Sequence, residues 1–227
     1  MDKYKIIGTS HVSHESKKII KQAFFEYEPD MIGVELDKNR FSSLKKETNT
    51  RPSLKSVFSL GITGYLFAII AGFIQRRIGR IMNVQPGQEF LLSANLAKNN
   101  GLPLYLIDRD IRITLKRLGK TVSFREKMRI LKDLIWPFGR KKMKFDLAKI
   151  PNDELVKRLT SEMKKRYPGI YKALVDERNI FMAKQVYFLL QRNPGKKILV
   201  VIGAGHKEGF EYYLNRFLKD NSLEIIK

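Results

Sequence analysis

Two of the three histidines in the sequence occur in the same local pattern, GxxH directly after a short apolar run. His11 follows the apolar residues 4–7, and His206 follows the apolar residues 198–202. The chain must bend sharply where it leaves a buried strand, and glycine permits the positive φ angle that such a bend can require. We therefore expect both histidines to lie above strand ends, where an imidazole can act as a general base or bind a metal ion.

Carboxylates follow the other two apolar runs of the same kind. Residues 35–37 (ELD) come directly after residues 31–34, and residues 108–110 (DRD) come directly after residues 104–107. The carboxyl ends of parallel strands line one edge of an open sheet, and ligands bind in the crevice there. Imidazole and carboxylate together predict either a divalent metal site or a His–Glu pair for acid–base catalysis.

Two predicted helices carry charged side chains that could complete such a site. Glu89 falls in the first turn of a helix, where a carboxylate also stabilises the helix dipole. Glu177 and Arg178 fall within the apolar helix predicted over residues 170–191. Charges in so apolar a helix either face water or belong to a site, and their spacing does not decide between these two alternatives.

Residues 203–205 (GAG) also imitate the start of a dinucleotide-binding fingerprint. That fingerprint requires a third glycine at position 208, which is Glu208, and then a strand that ends in an acidic residue. Neither requirement is met, so the sequence predicts no nucleotide cofactor.

Short strands that alternate with helices must position these groups. This alternation predicts an α/β fold with a mostly parallel sheet and helices on both faces. We expect one domain over residues 1–227, with helical insertions at about residues 50–85 and 110–165. The predicted strands cover residues 4–7, 31–34, 104–107 and 198–202, with a fifth at 223–226. The predicted helices cover residues 15–26, 88–99, 124–135, 152–165, 170–191 and 206–218.

Composition narrows the classes of site that this chain can hold. The 227 residues include 44 Lys and Arg against 23 Asp and Glu, a net charge of +21, so the surface must be strongly basic. No cysteine occurs, which excludes disulfides, thiolate nucleophiles, zinc fingers and iron–sulfur clusters. Any metal ion must therefore bind to His, Asp or Glu. The first residues carry no secretion signal, so we expect a cytoplasmic protein that associates with the inner face of the membrane.

The first insertion contains twenty uncharged residues, 56–75. Their length is that of a membrane-spanning helix, but a single crossing would put strands of one sheet on opposite sides of the bilayer. Three alternatives stay open: a helix buried in the same subunit, a helix paired with a second subunit, or a helix on the membrane surface. Gly64, Ala68 and Gly72 form a small-residue stripe of the kind that lets two helices approach closely, so we expect a homo-oligomer.

The second insertion contains a strongly basic stretch, residues 112–144, with twelve Lys or Arg against Glu126 and Asp133. Apolar residues recur among these charges from Met128 to Trp136, as they do in helices that rest on anionic lipid. An ordinary solvated helix face is the alternative. Nucleic acid is disfavoured as a partner, because the stretch has no recognisable reading module and few interleaved aromatic residues.

At these motifs the chain resembles the TraB family, also called the pheromone-shutdown or PrgY family. Through it the chain resembles the broader Tiki-like superfamily of metallohydrolases. The matching segments follow one another in order along nearly the whole chain, and the paired GxxH motifs are specific. They are GTSH ending at His11, VELDKNR at 34–40, PGQEF at 86–90, LIDRDI at 106–111, DERNIFMA at 176–183 and VVIGAGH at 200–206.

The resemblance implies an α/β domain whose site is built on His11, Glu35 and His206. Further polar positions of the motif set match Arg40, Glu89, Asp108, Arg109, Glu177 and Arg178. Members of the Tiki-like group look like metal-dependent peptidases, whereas erythromycin esterase, a relative, is thought to use histidine and glutamate without a metal. The resemblance therefore implies a divalent ion such as Mn, Co or Zn without deciding whether this chain binds one.

Together these observations predict a hydrolase, metal-assisted and acting on a peptide or on a related amide or ester. His11, Glu35 and His206 would hold the ion and a water molecule. Glu89 or Asp108 would act as the general base, and Arg109 or Arg178 would stabilise the oxyanion. The alternative is a membrane-surface protein that sequesters a short hydrophobic peptide without cleaving it.

Overall fold

The computed structural model describes residues 3–9, 14–45, 87–135 and 152–220 of the chain. Within these residues, strands alternate with helices as the sequence predicts. The strands are β1 (Tyr4–Thr9), β2 (Met31–Val34), β3 (Leu104–Leu106) and β4 (Ile198–Gly203). The helices are α1 (His14–Tyr27), α2 (Lys38–Lys45), α3 (Gln88–Asn99), α4 (Ile111–Thr121), α5 (Phe124–Ile135), α6 (Asn152–Arg166), α7 (Pro168–Tyr171), α8 (Glu177–Arg192) and α9 (Ala204–Asp220).

The four described strands form one parallel sheet in the order β1-β4-β2-β3. Strand β4 is central, and all six of its residues are buried. Its neighbours are in register on both sides, with Ile6 and Gly33 each opposite Val200. The predicted α/β fold with a parallel sheet is thereby confirmed.

Helices cover both faces of the sheet. Successive residues of β4 point to opposite faces, so they join two separate hydrophobic clusters. Val200 packs in a cluster with Met182 of α8 and Phe210 of α9. Val201 packs in the other cluster, which includes Ile20 of α1 and Phe90 of α3. A strand buried on both faces explains why its sequence is a continuous apolar run.

Helices α4 and α5 form a hairpin that docks on α7. The backbone N–H of Gly169 donates to Glu126 at 2.7 Å, and a Cβ at position 169 would lie 2.4 Å from the carbonyl oxygen of Thr121. Only glycine permits so close an approach. The same Glu126 accepts from the backbone N–H of Ser123 at 3.0 Å, while its own N–H donates to the Ser123 hydroxyl at 3.2 Å. This reciprocal pairing is a capping box that starts α5.

Helix α2 was not predicted, and α4 was predicted only as part of the helical insertion at about residues 110–165. The side chain of Asp110 accepts from the backbone N–H of Arg112 at 2.8 Å, so this aspartate caps α4 and was the overlooked signal. The helix predicted over residues 170–191 also differs in detail. It consists of α7, a π-helical stretch over Lys172–Asp176 and then α8.

Several predicted features lie outside the described residues. They are His11, the apolar segment 56–75 with its small-residue stripe, Trp136 and the fifth strand at 223–226. The single-domain boundaries likewise stay a prediction. Among the helices that the structure does describe, none combines the length and the apolar character needed to cross a bilayer.

Candidate active site at the carboxyl edge of the sheet

Four elements bring polar side chains to the carboxyl edge of the sheet. Glu35 directly follows β2, Asp108 follows β3 after one residue, and His206 lies in the first turn of α9, just after β4. Arg178 reaches the same place from the first turn of α8. Because the three strands are parallel and adjacent, their ends supply three groups to one small space, and α8 adds the fourth.

Arg178 connects the members of this cluster. Its Nη2 donates to Glu35 Oε1 at 2.5 Å and to Asp108 Oδ2 at 2.7 Å, and its Nε donates to Asp108 Oδ1 at 3.1 Å. Its Nη1 lies 3.1 Å from the carbonyl oxygen of Leu174. Burial alone would lower the pKa of the guanidinium, but Glu35 and Asp108 outweigh burial and raise it. Arg178 is thus a permanent cation between two carboxylates.

Glu35 is held from two sides. While its Oε1 accepts from Arg178, its Oε2 accepts from the backbone N–H of Gly203 at 2.6 Å. Gly203 ends β4, so the neighbouring strand fixes the orientation of this carboxylate. Only 4% of Glu35 is exposed, which makes these bonds little screened by solvent.

His206 has a defined tautomer in this network. Its Nε2 lies 2.9 Å from Arg178 Nη1 and 3.4 Å from Glu35 Oε1, and its Nδ1 lies 2.7 Å from Asn179 Oδ1. A guanidinium can only donate, so Nε2 accepts from Arg178. A carbonyl oxygen can only accept, so Nδ1 carries the proton and donates to Asn179. We assign this neutral tautomer from the hydrogen-bond network.

Arg40 lies at the rim of the cluster. Its Nη1 is 3.4 Å from Asp108 Oδ2, and 37% of its side chain is exposed. The adjacent Asp37 positions the start of α2, because its Oδ1 accepts from the backbone N–H groups of Asn39 at 2.8 Å and Arg40 at 3.1 Å. Asp37 Oδ2 is buried and has no hydrogen-bond partner within the described part of the chain.

Arg109 and Glu177 belong to a second network beside this cluster. Arg109 donates to Thr114 at 3.0 Å, to Glu177 at 3.2 Å and to the carbonyl oxygen of Ala173 at 2.9 Å. Arg117 also donates to both carboxylate oxygens of Glu177. The network ties α4 to the π-helical stretch and to the start of α8. It therefore fixes the backbone next to Arg178, the residue that follows Glu177.

Glu89, the remaining predicted group, is buried in the first turn of α3. Helix α3 leads through a short loop into β3, so its first turn lies at the same end of the sheet as the strand carboxyl ends. The hydroxyl of Ser93 donates to the Glu89 carbonyl oxygen at 2.9 Å.

Comparison with known proteins identifies the relatives of this chain. Residues 2–221 match the TraB/PrgY/gumN family. The chain belongs to the TraB/PrgY/gumN family.

An uncharacterized protein of Methanocaldococcus jannaschii is 35% identical to this TraB-family chain, over 98% of the chain and 56% of that protein. TraB domain-containing proteins of Mus musculus and Homo sapiens are 25% identical over 91% of the chain and 61% of their own length. The chain thus spans a little over half the length of these relatives. A solved structure of an erythromycin esterase mutant aligns over 88% of the chain and 60% of its own, with 14% identity and a TM-score of 0.36.

The cluster of this TraB-family chain contains one residue that the sequence analysis missed as a site residue. Asn179 is 1% exposed and binds the ring of His206. Its signal was an asparagine three residues before Met182 and seven before Val186, which puts it on the apolar face of α8, next to the charged pair at 177–178. An amide at such a position must find a partner, because an unpaired buried amide is costly.

The described donor set fits a guanidinium better than a metal ion. Glu35 and His206 Nε2, two of the three predicted metal ligands, already accept hydrogen bonds from Arg178, as does Asp108. A divalent ion among them would face this cation at close range. The third predicted ligand, His11, lies outside the described residues. Glu35, Asp108 and His206 lie at one sheet edge, but no group of three His, Asp or Glu side chains among the described residues has the arrangement that could hold a metal ion. The chemistry below is therefore derived from side chains alone.

Proposed function

We propose that the chain hydrolyses an ester or amide bond, such as a peptide bond, with His206 as the general base. One observation carries this proposal. The Nε2 of His206, an acceptor in the assigned tautomer, lies 2.9 Å from Arg178 and 3.4 Å from Glu35 at the sheet edge where ligands bind. Buried, mutually paired ionisable groups of this kind cluster at functional sites.

In the proposed reaction, His206 Nε2 removes a proton from a water molecule. The resulting hydroxide forms a bond to the substrate carbonyl carbon, and the carbonyl oxygen becomes an oxyanion. Nε2 then returns the proton to the leaving oxygen or nitrogen as the bond to that atom breaks. For this step the hydrogen bond from Arg178 Nη1 to Nε2 must break, so that the water can bind Nε2. Nη1 then keeps its hydrogen bond to the Leu174 carbonyl oxygen, which lies 3.1 Å away.

Arg40 is the group that we assign to the oxyanion. Arg109 and Arg178 were the sequence-based candidates, but both donate to several protein acceptors in buried positions. Among the described residues, the only hydrogen-bond or ion-pair partner of the Arg40 guanidinium is Asp108, at 3.4 Å, and the side chain is partly exposed. A fixed cation beside the developing negative charge stabilises the transition state.

A divalent ion held by His11, Glu35 and His206 stays the competing prediction. The two mechanisms differ in an observable way, since only one of them requires the ion. The metal content of the purified protein and its dependence on chelators therefore separate them.

The experiment is a hydrolysis assay with a panel of short peptides and chromogenic esters. We expect wild-type protein to cleave at least one class, and His206→Gln to lose roughly 100-fold or more of that activity, as expected for a general base. Lys207→Gln is the matched control because residue 207 is exposed next to His206. Equal activity in His206→Gln and Lys207→Gln would contradict the proposal. Peptide binding without any product would favour the alternative of sequestration.

We also propose that α5 rests on an anionic membrane surface. Phe124 is 75% exposed and Met128 is 40% exposed on this helix, among the exposed basic residues Arg125, Arg129 and Lys132. The two acidic residues of α5 are bound within the protein, Glu126 by Gly169 and Asp133 by Arg166. The two acidic residues of α5 therefore point to partners within the protein, while three of its basic residues and two apolar residues are exposed, as in interfacial helices.

A further inference from the structure

Asn179 and Arg178 are consecutive residues of α8, and they bind opposite nitrogens of the same imidazole ring. Arg178 donates to Nε2 at 2.9 Å, and Asn179 accepts from Nδ1 at 2.7 Å. In the other tautomer, an N–H group of the ring would face an N–H group of Arg178, and a lone pair would face the oxygen of Asn179. One helix thus supplies both a donor and an acceptor that together permit a single neutral form.

The amide of Asn179 is itself held in place by α9. A Cβ built at Gly209 would lie 2.2 Å from Asn179 Nδ2 and 3.1 Å from its Cγ. The amide therefore packs directly against the backbone of Gly209. His206 and Gly209 are three residues apart on α9 and share one face of that helix. Any side chain at position 209 would displace the amide from the ring that it binds.

Asn179 carries a polar amide, whereas the side chains of the other buried residues of α8 pack in the hydrophobic core. The other buried residues of α8 are Met182, Ala183, Val186, Tyr187 and Leu190, which pack in the core. Asn179 is 1% exposed, and packing alone would favour an apolar residue there. Its bond to His206 gives a reason for an amide at this position.

We infer that Asn179 is a positioning residue, which fixes the Nδ1–H tautomer and the ring orientation of His206, and that Gly209 provides the space for it. This inference rests on the proposed function for its effect on catalysis. Its structural part, the tautomer, can be measured without any substrate. The unprotonated Nε2 is then the atom presented at the sheet edge, which is what a general base requires.

The test is ¹⁵N NMR of the histidine rings in the wild-type protein, with the His206 signals assigned by their loss in His206→Gln. We expect the wild type to give the signature of a protonated Nδ1 and an unprotonated Nε2. Asn179→Leu, which has the same number and branching of side-chain heavy atoms but no acceptor, is expected to give a mixture of tautomers. Asn179→Asp keeps an acceptor oxygen and is expected to keep the wild-type signature.

Gly209→Ala is a second variant, and it changes none of the polar side chains of the site. It is expected to shift the His206 signals toward those of Asn179→Leu, and it serves as the test if Asn179→Leu does not fold. Glu211→Gln, exposed on the same helix, is the matched control and should leave the signals unchanged. An Nε2–H signature in the wild type, or unchanged ring signals in the folded Asn179 and Gly209 variants, would overturn the inference.

Activity supplies a second readout. We expect Asn179→Leu to lower kcat by roughly 10-fold to 100-fold with little change in KM, because a residue that orients a catalytic histidine acts on the chemical step. Asn179→Asp should recover part of this loss. If the tautomer responds as expected but no substrate is cleaved by the wild type, the proposed function fails while the assignment of Asn179 stands. If activity is present and neither Asn179 variant changes kcat, the positioning role fails.

Discussion

At the scale of single residues, Arg178 has the largest consequences for the site. Its side chain is 14% exposed and neutralises two carboxylates that are each about 95% or more buried. Removing one partner of a buried ion pair leaves an uncompensated charge, which costs far more than loss of an exposed pair. The same guanidinium also contacts His206 Nε2, so the proposed chemistry depends on the side chain that neutralises the two carboxylates.

We predict that Arg178→Gln lowers the free energy of unfolding by roughly 3–5 kcal/mol, because Glu35 and Asp108 lose their shared cation. Urea unfolding followed by circular dichroism measures this change. Arg40→Gln is the control, since it removes a partly exposed cation from the same Asp108 and should cost only about 0–1 kcal/mol. Similar costs for the two variants would contradict the view that burial makes Arg178 essential.

The lowered pKa of Glu177 predicts that the stability of the protein depends on pH. Burial alone would raise the pKa of its carboxyl, but hydrogen bonds from Arg117 and Arg109 outweigh burial and hold the pKa below its ordinary value of 4.5. Such a carboxyl contributes stability that is present above its unfolded pKa and is lost as the pH falls through the lower folded value. The network of Arg109, Glu177 and Arg117 should therefore stabilise the protein at pH 7 and weaken in acid.

We accordingly expect Glu177→Gln to lower the free energy of unfolding at pH 7 by roughly 1–3 kcal/mol, the range for hydrogen bonds to charged groups. The difference from wild type should shrink as the pH falls below 4.5. Urea titrations at a series of pH values measure both effects, with Glu211→Gln as an exposed control. If the stability difference between Glu177→Gln and wild type grew as the pH fell, this prediction would be contradicted.

At the scale of elements, α5 carries the prediction of membrane contact. Each basic residue near an anionic surface contributes roughly 1 kcal/mol to binding. The binding free energy expected from the exposed Arg125, Arg129 and Lys132 is therefore several times the thermal energy. We expect co-sedimentation with vesicles that contain anionic lipid, weakening as salt shortens the Debye length from about 10 Å at 0.1 M to about 3 Å at 1 M.

The double variant Phe124→Ser, Met128→Ser should weaken this binding while it leaves the charge of α5 unchanged. The matched control is Phe25→Ser, which removes an exposed aromatic residue from α1 instead. Equal binding to neutral and anionic vesicles, or no binding at low salt, would identify the outer face of α5 as an ordinary solvated surface.

The sequence was sufficient to predict the four described strands and the meeting of Glu35, Asp108 and His206 at the ends of three of them. A strand buried on both faces must be a short apolar run, and parallel strands must end at one edge, so the convergence of Glu35, Asp108 and His206 followed from local patterns. The role of Arg178 as the connecting cation did not follow. Its position depends on how α8 is rotated against the sheet, and a π-helical stretch just before it changes that rotation.

Asn179 was missed for the same reason. Hydrophobic periodicity places residues on the buried face of a helix, but it does not tell which side chain from another element they meet. The contact between Asn179 and His206 depends on α8 and α9 lying side by side, with Gly209 at the crossing. The starts of α2 and α4 were not predicted, because their capping residues Asp37 and Asp110 had been considered only among the carboxylates that follow the strands.

At the scale of the whole molecule, the sheet and its two helical layers act as a rigid support for one buried cluster. Strand β4 lies at the centre of the sheet and supplies both the Gly203 N–H and the start of the helix with His206. Strands β2 and β3 lead into Glu35 and Asp108, and α8 supplies Arg178 and Asn179. A site built on such elements holds its groups in place more precisely than a site built on loops.

The central claim of the proposed function is that the cation of this site is the Arg178 guanidinium and that the proposed hydrolysis needs no metal ion. The most direct test is the rate of hydrolysis by wild-type protein after exhaustive chelation, with metal content measured in the same sample. We predict that the metal-free protein keeps its full rate and that Arg178→Lys loses most of it, since a lysine cannot donate to both carboxylates and to His206 in the same geometry. Loss of activity on chelation, restored by Mn, Co or Zn, would contradict the account and establish the metal-dependent alternative.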